Sequence, residues 1–106
     1  MISTHILDTS KGMPAGNVEI TLEKKNSPSG EWNIIGTGAT NSDGRLAFDC
    51  PKEMGIYRLT FGIEAYLKED IFFLDTPVVF KITDINRKYH IPLLLNPYGY
   101  TTYRGS

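Results

Sequence analysis

The sequence predicts an all-β sandwich of two four-stranded sheets with one short helix. Apolar and polar residues alternate with period two along most of the chain, turn residues interrupt this alternation about every eight to twelve residues, and one segment has helical spacing. A chain of 106 residues with 41% hydrophobic content can build one core, so we expect a single domain over residues 1–106.

Each break between the predicted strands has a recognisable turn chemistry. Gly and Pro make a wide turn at 11–16, Pro and Gly close a hairpin loop at 26–30, and Asp43-Gly44 tolerates positive φ. Asn96-Pro-Tyr-Gly99 suits a type I turn that joins the last two strands. The predicted strands cover residues 3–8, 17–25, 31–39, 45–49, 56–61, 77–83, 89–95 and 99–104.

The helix is predicted where the strand pattern stops. Ile63, Tyr66, Leu67 and Ile71 recur at helical spacing among charged residues, which is typical of a short amphipathic helix. No repeat, low-complexity tract or linker supports a second domain.

Composition excludes several classes of function. Eleven basic against twelve acidic residues, without a basic block, make nucleic acid an unexpected partner, and no apolar run approaches the roughly 20 residues of a membrane helix. The first five residues lack a signal-peptide pattern, so we expect a cytoplasmic protein, or a periplasmic one if a signal peptide was removed.

Cys50 is a lone cysteine, which excludes an intrachain disulfide and a cysteine-based zinc cluster. We expect its side chain to act as a small buried hydrophobic group.

Familiar catalytic motifs are absent from the sequence. The segment Gly36-Thr-Gly-Ala-Thr-Asn41 lacks the third glycine of a dinucleotide fingerprint and lies between strands. No phosphate loop, nucleophile elbow, HExxH or EF-hand pattern occurs.

Strand parity places both histidines of the chain on an outer face. Ile6 opposes His5, and the apolar residues that follow His90 alternate against it, so both imidazoles should point away from the core. If the first strand and the last two are neighbours, one face carries Ser3, His5, Leu7, His90, Pro92, Leu94, Thr101 and Tyr103. This much apolar surface indicates an interface, or the wall of a pocket between subunits.

The residues alone leave ordinary structural roles open. A single strand histidine is most often a satisfied surface or core residue, a tyrosine at a strand end is usually packing, and Arg45 after its turn is by default a solvated charge. The terminal strand is unusual because it runs to the last residue, where most chains end in a frayed tail.

Five segments of the chain resemble the 5-hydroxyisourate hydrolases, the transthyretin-related enzymes of urate breakdown. The terminal Tyr-Arg-Gly-Ser is the most specific, because in that family it separates the enzymes from transthyretin, a hormone carrier of the same fold. Phe72-Phe-Leu-Asp-Thr-Pro77 departs from the aromatic-aromatic-Pro pattern expected there. The segments are Thr4-His-Ile-Leu-Asp8, Thr40-Asn-Ser-Asp-Gly-Arg45, Gly55-Ile-Tyr-Arg-Leu-Thr-Phe61, Tyr89-His-Ile-Pro-Leu-Leu-Leu95 and Tyr103-Arg-Gly-Ser106.

The resemblance implies a transthyretin-like sandwich and a homotetramer with active sites at the dimer–dimer interface. It also implies hydrolysis of 5-hydroxyisourate to 2-oxo-4-hydroxy-4-carboxy-5-ureidoimidazoline without a metal or an organic cofactor. Carried over residue by residue, the catalytic set is His5, Arg45 and His90. The implied substrate-binding set is His5, Arg45, Tyr103, Arg104, Gly105 and Ser106.

Opening a lactam needs an activated water, stabilisation of the carbonyl oxygen and a proton for the departing nitrogen. We expect His5 or His90 to act as the general base and Arg45 to stabilise the substrate, with Arg104 and the Ser106 carboxylate able to hold the strand end. One alternative is a transthyretin-like channel that carries an aromatic small ligand without chemistry. Another is a monomeric adhesion module in which these residues are scattered.

Overall fold

The computed structural model, which describes residues 1–50, 53–68 and 71–105, is a sandwich of two β-sheets with one short helix. The elements in these ranges are β1 (Ile2–Asp8), β2 (Met13–Pro14), β3 (Glu19–Lys25), β4 (Trp32–Ala39), β5 (Arg45–Phe48), β6 (Gly55–Phe61), α1 (Ile63–Leu67), β7 (Thr76–Ile82), β8 (Tyr89–Asn96) and β9 (Gly99–Thr102). One sheet contains β1, β2, β5, β8 and β9, and the other has the order β4-β3-β6-β7.

The first sheet is built around β1. This strand pairs in parallel with β8 along one edge, while β5 and the two-residue β2 share its other edge in antiparallel pairing. Because β2 lies beyond the end of β5, the sheet is four strands wide although it contains five strands. The predicted architecture of two four-stranded sheets with one helix is therefore confirmed, with β2 as a short addition.

The hydrophobic core lies between the two sheets. Alternate residues of β1, β3, β6 and β8 are buried, which is the period-two pattern expected for a sheet with one packed face. Each large apolar side chain removed from water contributes about 1.5 to 3 kcal/mol. The largest fully buried side chains include Tyr57, Phe61, Ile2, Ile6, Ile20, Leu22, Leu59, Ile63, Ile82, Leu93 and Leu95.

The helix is shorter than the spacing predicts and is tied to the end of β1. It ends at Leu67 because Lys68 adopts φ 67°, so Ile71 is outside it. Tyr66 donates a hydrogen bond to Asp8 Oδ2 at 2.8 Å. Burial and this carboxylate raise the pKa of Tyr66 to about 12. No helix in the described ranges is long and apolar enough to cross a membrane.

Every end of the eight predicted strands falls within two residues of the observed end, and the two-residue differences have local causes. The strand predicted from residue 17 begins at Glu19, because Asn17 has φ 59° and cannot be extended. The last strand ends at Thr102, and the chain rejoins the sheet through a bridge between Gly105 and His90. The predicted hairpin between the last two strands is present, with Asn96 paired to Gly99.

The turn between β4 and β5 depends on a glycine. Gly44 has φ 74°, and its carbonyl accepts the Ile6 amide hydrogen bond at 2.8 Å. A Cβ atom at Gly44 would overlap the Ile6 carbonyl oxygen. The turn therefore fits against β1 only without a side chain, and this contact sets where β5 begins.

We expect Gly44→Ala to lower the free energy of unfolding by roughly 2 to 4 kcal/mol, since it adds a steric clash to the cost of positive φ. Gly12→Ala is the matched control, because Gly12 has φ 66° but no atom within 4 Å of the added Cβ. That variant should lose only about 1 kcal/mol. Urea unfolding of both variants at one protein concentration measures the difference, and equal losses would contradict the contact with β1.

Candidate active site

The register of the first sheet gathers the predicted site residues on its outer face. His5 pairs with Arg45 of β5 on one side and with Pro92 of β8 on the other. In the neighbouring row, Ser3 pairs with His90, and His90 is bridged to Gly105. Paired residues project to the same side of a sheet with Cβ atoms about 4.5 to 5.5 Å apart. Arg45, His5 and His90 therefore lie close together on one face. Parity predicted that face for the two histidines, and the family resemblance supplied Arg45.

The His90 ring is held on two sides. Its Nδ1 lies 2.9 Å from the Ser3 hydroxyl oxygen. The Gly105 amide donates to the His90 carbonyl at 2.8 Å, and a Cβ atom at Gly105 would lie 2.6 Å from Cδ2 of the ring. The chain terminus can approach this closely because residue 105 is a glycine.

The environment of His90 favours its neutral form. Burial lowers the pKa of the His90 imidazole below its ordinary value of 6.5, and the nearby His5 and Arg45 lower it further. A hydrogen bond to the Ser3 backbone acts in the opposite direction without reversing the shift. A neutral imidazole can accept a proton near pH 7, as a general base must.

The β4–β5 turn positions Arg45. The Asn41 side-chain oxygen accepts hydrogen bonds from the amides of Asp43 and Arg45, at 2.9 and 3.0 Å. Asn41 also donates its own amide hydrogen to the Arg45 carbonyl at 2.9 Å. The exposed guanidinium is thus carried by an ordered turn, and its planar donors suit an anionic oxygen.

A groove over this face includes residues to which sequence reasoning gave no role. Ser3 shares the parity of His5, which was a usable signal for its position, whereas Asn41 and Lys88 lie in turns without periodicity. Among the described residues, no group of three or more His, Cys, Asp or Glu is placed to hold a metal ion. The polar lining of the groove includes Ser3, Asn41, Arg45, Lys88 and His90.

The terminal residues divide between the two faces of the sheet. Extending the register that joins Leu93 to Thr102 places Tyr103 opposite Pro92 on the outer face, where it is 55% exposed. Arg104 points the other way, and its guanidinium carbon lies 4.8 Å from the centroid of the Tyr89 ring. The structure therefore does not bring Arg104 to the cluster. Ser106 lies outside the described residues.

Comparisons with known proteins identify the family of the chain. Residues 2–105 match the model of the HIUase/Transthyretin family. A 5-hydroxyisourate hydrolase of Salmonella typhimurium is 44% identical over 112 residues, covering 100% of this chain and 81% of that protein.

Two solved structures share the fold. Klebsiella pneumoniae 5-hydroxyisourate hydrolase aligns with a TM-score of 0.85 and 34% identity over 99% of this chain and 98% of that one. Sea bream transthyretin in complex with thyroxine aligns with a TM-score of 0.90 and 32% identity over 98% of this chain and 93% of that one. The backbone thus fits a 5-hydroxyisourate hydrolase and a transthyretin alike, and the chain belongs to the HIUase/Transthyretin family.

Proposed function

We propose that this protein hydrolyses 5-hydroxyisourate to 2-oxo-4-hydroxy-4-carboxy-5-ureidoimidazoline in urate breakdown. The convergence of His5, Arg45 and His90 on one sheet face carries the proposal. Relatives that match the whole chain at 34 to 44% identity are named for this activity, among them the Salmonella and mouse proteins.

The chemistry adds one water across the lactam C–N bond. A base removes a proton from water as its oxygen attacks the carbonyl carbon, and the negative charge that develops on the carbonyl oxygen needs a nearby donor. The C–N bond then breaks, and the nitrogen receives a proton. One imidazole can act as the base and the other can return the proton.

Arg45 serves this chemistry in two ways. Its guanidinium offers donors to the developing oxyanion and cannot deprotonate near neutral pH. Its charge is also among the causes of the lowered pKa of His90, after burial and His5. The same cation thereby binds the substrate and keeps a neighbouring base unprotonated.

A carrier without chemistry is the weaker alternative, although sea bream transthyretin shares the backbone. Two imidazoles and a guanidinium on one face give a passive apolar site no benefit, and each polar group left unpaired on burial costs about 1 to 3 kcal/mol. The clustering of these residues also contradicts the scattered arrangement that an adhesion module would have.

We further propose a homotetramer in which the faces that carry the clusters meet and enclose the sites. Support comes from apolar residues on that same outer face, where Leu7 pairs with Leu94 and Leu94 with Thr101. Tyr103 adds an exposed ring beside them. Apolar surface next to polar catalytic groups is typical of a site shared between subunits.

Replacing the cluster residues tests the activity. His5→Ala, His90→Ala and Arg45→Ala should each slow the decay of 5-hydroxyisourate, generated with uricase and followed by ultraviolet absorbance. Loss of the general base should cost roughly 10²- to 10⁴-fold. Lys25→Ala at the end of β3, in the other sheet, is the control and should retain activity. Wild-type decay no faster than buffer would refute the enzyme, and full activity in all three variants would refute the site.

The pH dependence of His90 tests the electrostatic part of the mechanism. Its imidazole should titrate below 6.5 in an NMR experiment, because burial, His5 and Arg45 disfavour the imidazolium. Activity that depends on neutral His90 should accordingly persist as the pH falls to 6.5 and decline below it. Arg45→Gln should raise the pKa of His90, whereas Lys25→Gln should leave it unchanged. A pKa of His90 at or above 6.5 in the wild type would contradict this environment.

Light scattering tests the assembly. The wild type should have about four times the chain mass of 11.9 kDa. Leu94→Lys should reduce that mass, because it places a charge on the face that carries the cluster. Val79→Lys is the matched control, since Val79 is an exposed strand residue of the other sheet. A monomeric wild type, or an unchanged mass in Leu94→Lys, would count against the tetramer.

A further inference from the structure

The contact between Ser3 and His90 has no part in the mechanism described above. These residues lie 87 positions apart in the chain and are adjacent on the outer face through the parallel pairing of β1 with β8. Ser3 lines the same groove as Arg45 and His90. Its hydroxyl therefore contacts a base candidate within the site.

The surroundings of the ring distinguish its two nitrogens. Nδ1 faces the Ser3 hydroxyl oxygen at 2.9 Å, and Gly105 closes the side of the ring at Cδ2. Within the described part of the chain, Ser3 is the hydrogen-bond partner of the ring, through its hydroxyl at Nδ1 and through its backbone, and no side chain makes a hydrogen bond with Nε2. Nε2 is therefore the ring nitrogen that we assign to water or substrate.

We propose that Ser3 is a positioning residue whose hydroxyl oxygen accepts the Nδ1 proton of His90 and thereby holds Nε2 unprotonated as the general base. The inference rests on the proposed function and assigns the base to His90 rather than to His5. In the reaction, Nε2 takes a proton from the attacking water, and the imidazolium that forms keeps its Nδ1–H bond to Ser3.

The opposite arrangement of protons does not support this chemistry. If Ser3 donated to Nδ1, the neutral ring would carry its proton on Nε2, which could then donate but not accept. A serine oxygen that accepts from Nδ1 instead stabilises the imidazolium as it forms, because hydrogen bonds to the charged form favour that form. Such a partner on the second nitrogen is how proteins set the tautomer of a catalytic histidine.

The tautomer is measured without reference to activity. Long-range ¹H–¹⁵N spectra of the wild type above pH 7 should show a protonated Nδ1 and an unprotonated Nε2 for His90. The chain has two histidines, so His5→Asn assigns the His90 signals. A protonated Nε2 in the wild type would overturn the proposal.

Kinetics supply the second test. Ser3→Ala should lower kcat by roughly 10- to 100-fold, the scale expected for a misplaced catalytic group, with KM changed little. Ser3→Thr keeps a hydroxyl in a residue suited to strands and should restore most of kcat. Ser29→Ala is the matched control, since the exposed Ser29 hydroxyl also makes a hydrogen bond, to the Glu31 amide, in the loop between β3 and β4.

The outcomes separate this inference from the proposed function. Wild-type kcat in Ser3→Ala would overturn the positioning role even if the enzyme is active. Equal losses in Ser3→Ala and Ser3→Thr would also overturn it, because the hydroxyl would then not be what matters. An inactive wild type would refute the proposed function, and the His90 nitrogen shifts would still decide the tautomer.

Discussion

The register of β1 between β5 and β8 is the constraint on which the rest of the molecule depends. A slip of one residue would turn His5 toward the core and expose Ile6, because successive strand residues face opposite sides. Hydrogen bonds between β1 and β8 and beyond the end of β1 hold the register. Thr4 donates to the Ile91 carbonyl at 2.6 Å, and the Thr9 amide donates to the Leu95 carbonyl at 2.8 Å. Asp8 at the strand end accepts hydrogen bonds from Ser10, Lys11 and Tyr66, which outweigh its burial and lower its pKa.

The same alternation gives β1 two functions. Its even-numbered residues are buried, with Ile2 and Ile6 in the core, while Ser3 and His5 are half-buried on the outer face. Site residues on such a strand gain a rigid scaffold without disturbing the core. In a single chain they also remain open to water, so a facing copy would complete both the desolvation and the enclosure that a hydrolytic site requires.

Local sequence patterns predicted most of the strands and the orientation of the histidines. The features that they did not predict depend mainly on long-range packing. Alternation identified the strands and the outward direction of His5 and His90, and the resemblance supplied the substrate. The pairing of Ser3 with His90 joins distant segments, so no local pattern could reveal its hydrogen bond. The end of α1 at Leu67 depends on the backbone conformation of Lys68 rather than on apolar spacing. The position of Arg104 was predictable from the sequence, because the alternation that directs Tyr103 outward directs Arg104 to the other face.

The most direct test of one shared active site compares kcat/KM for 5-hydroxyisourate among four variants. These are the single alanine variants of His5, Arg45 and His90 and the variant that combines the three substitutions. When several groups act as one catalytic unit, the combined variant loses far less activity than the product of the losses in the single variants. We expect the triple variant to be only slightly slower than the slowest single variant. Losses that multiply, as they do for independent sites, would show that the sheet register brings these residues together without making them one active site.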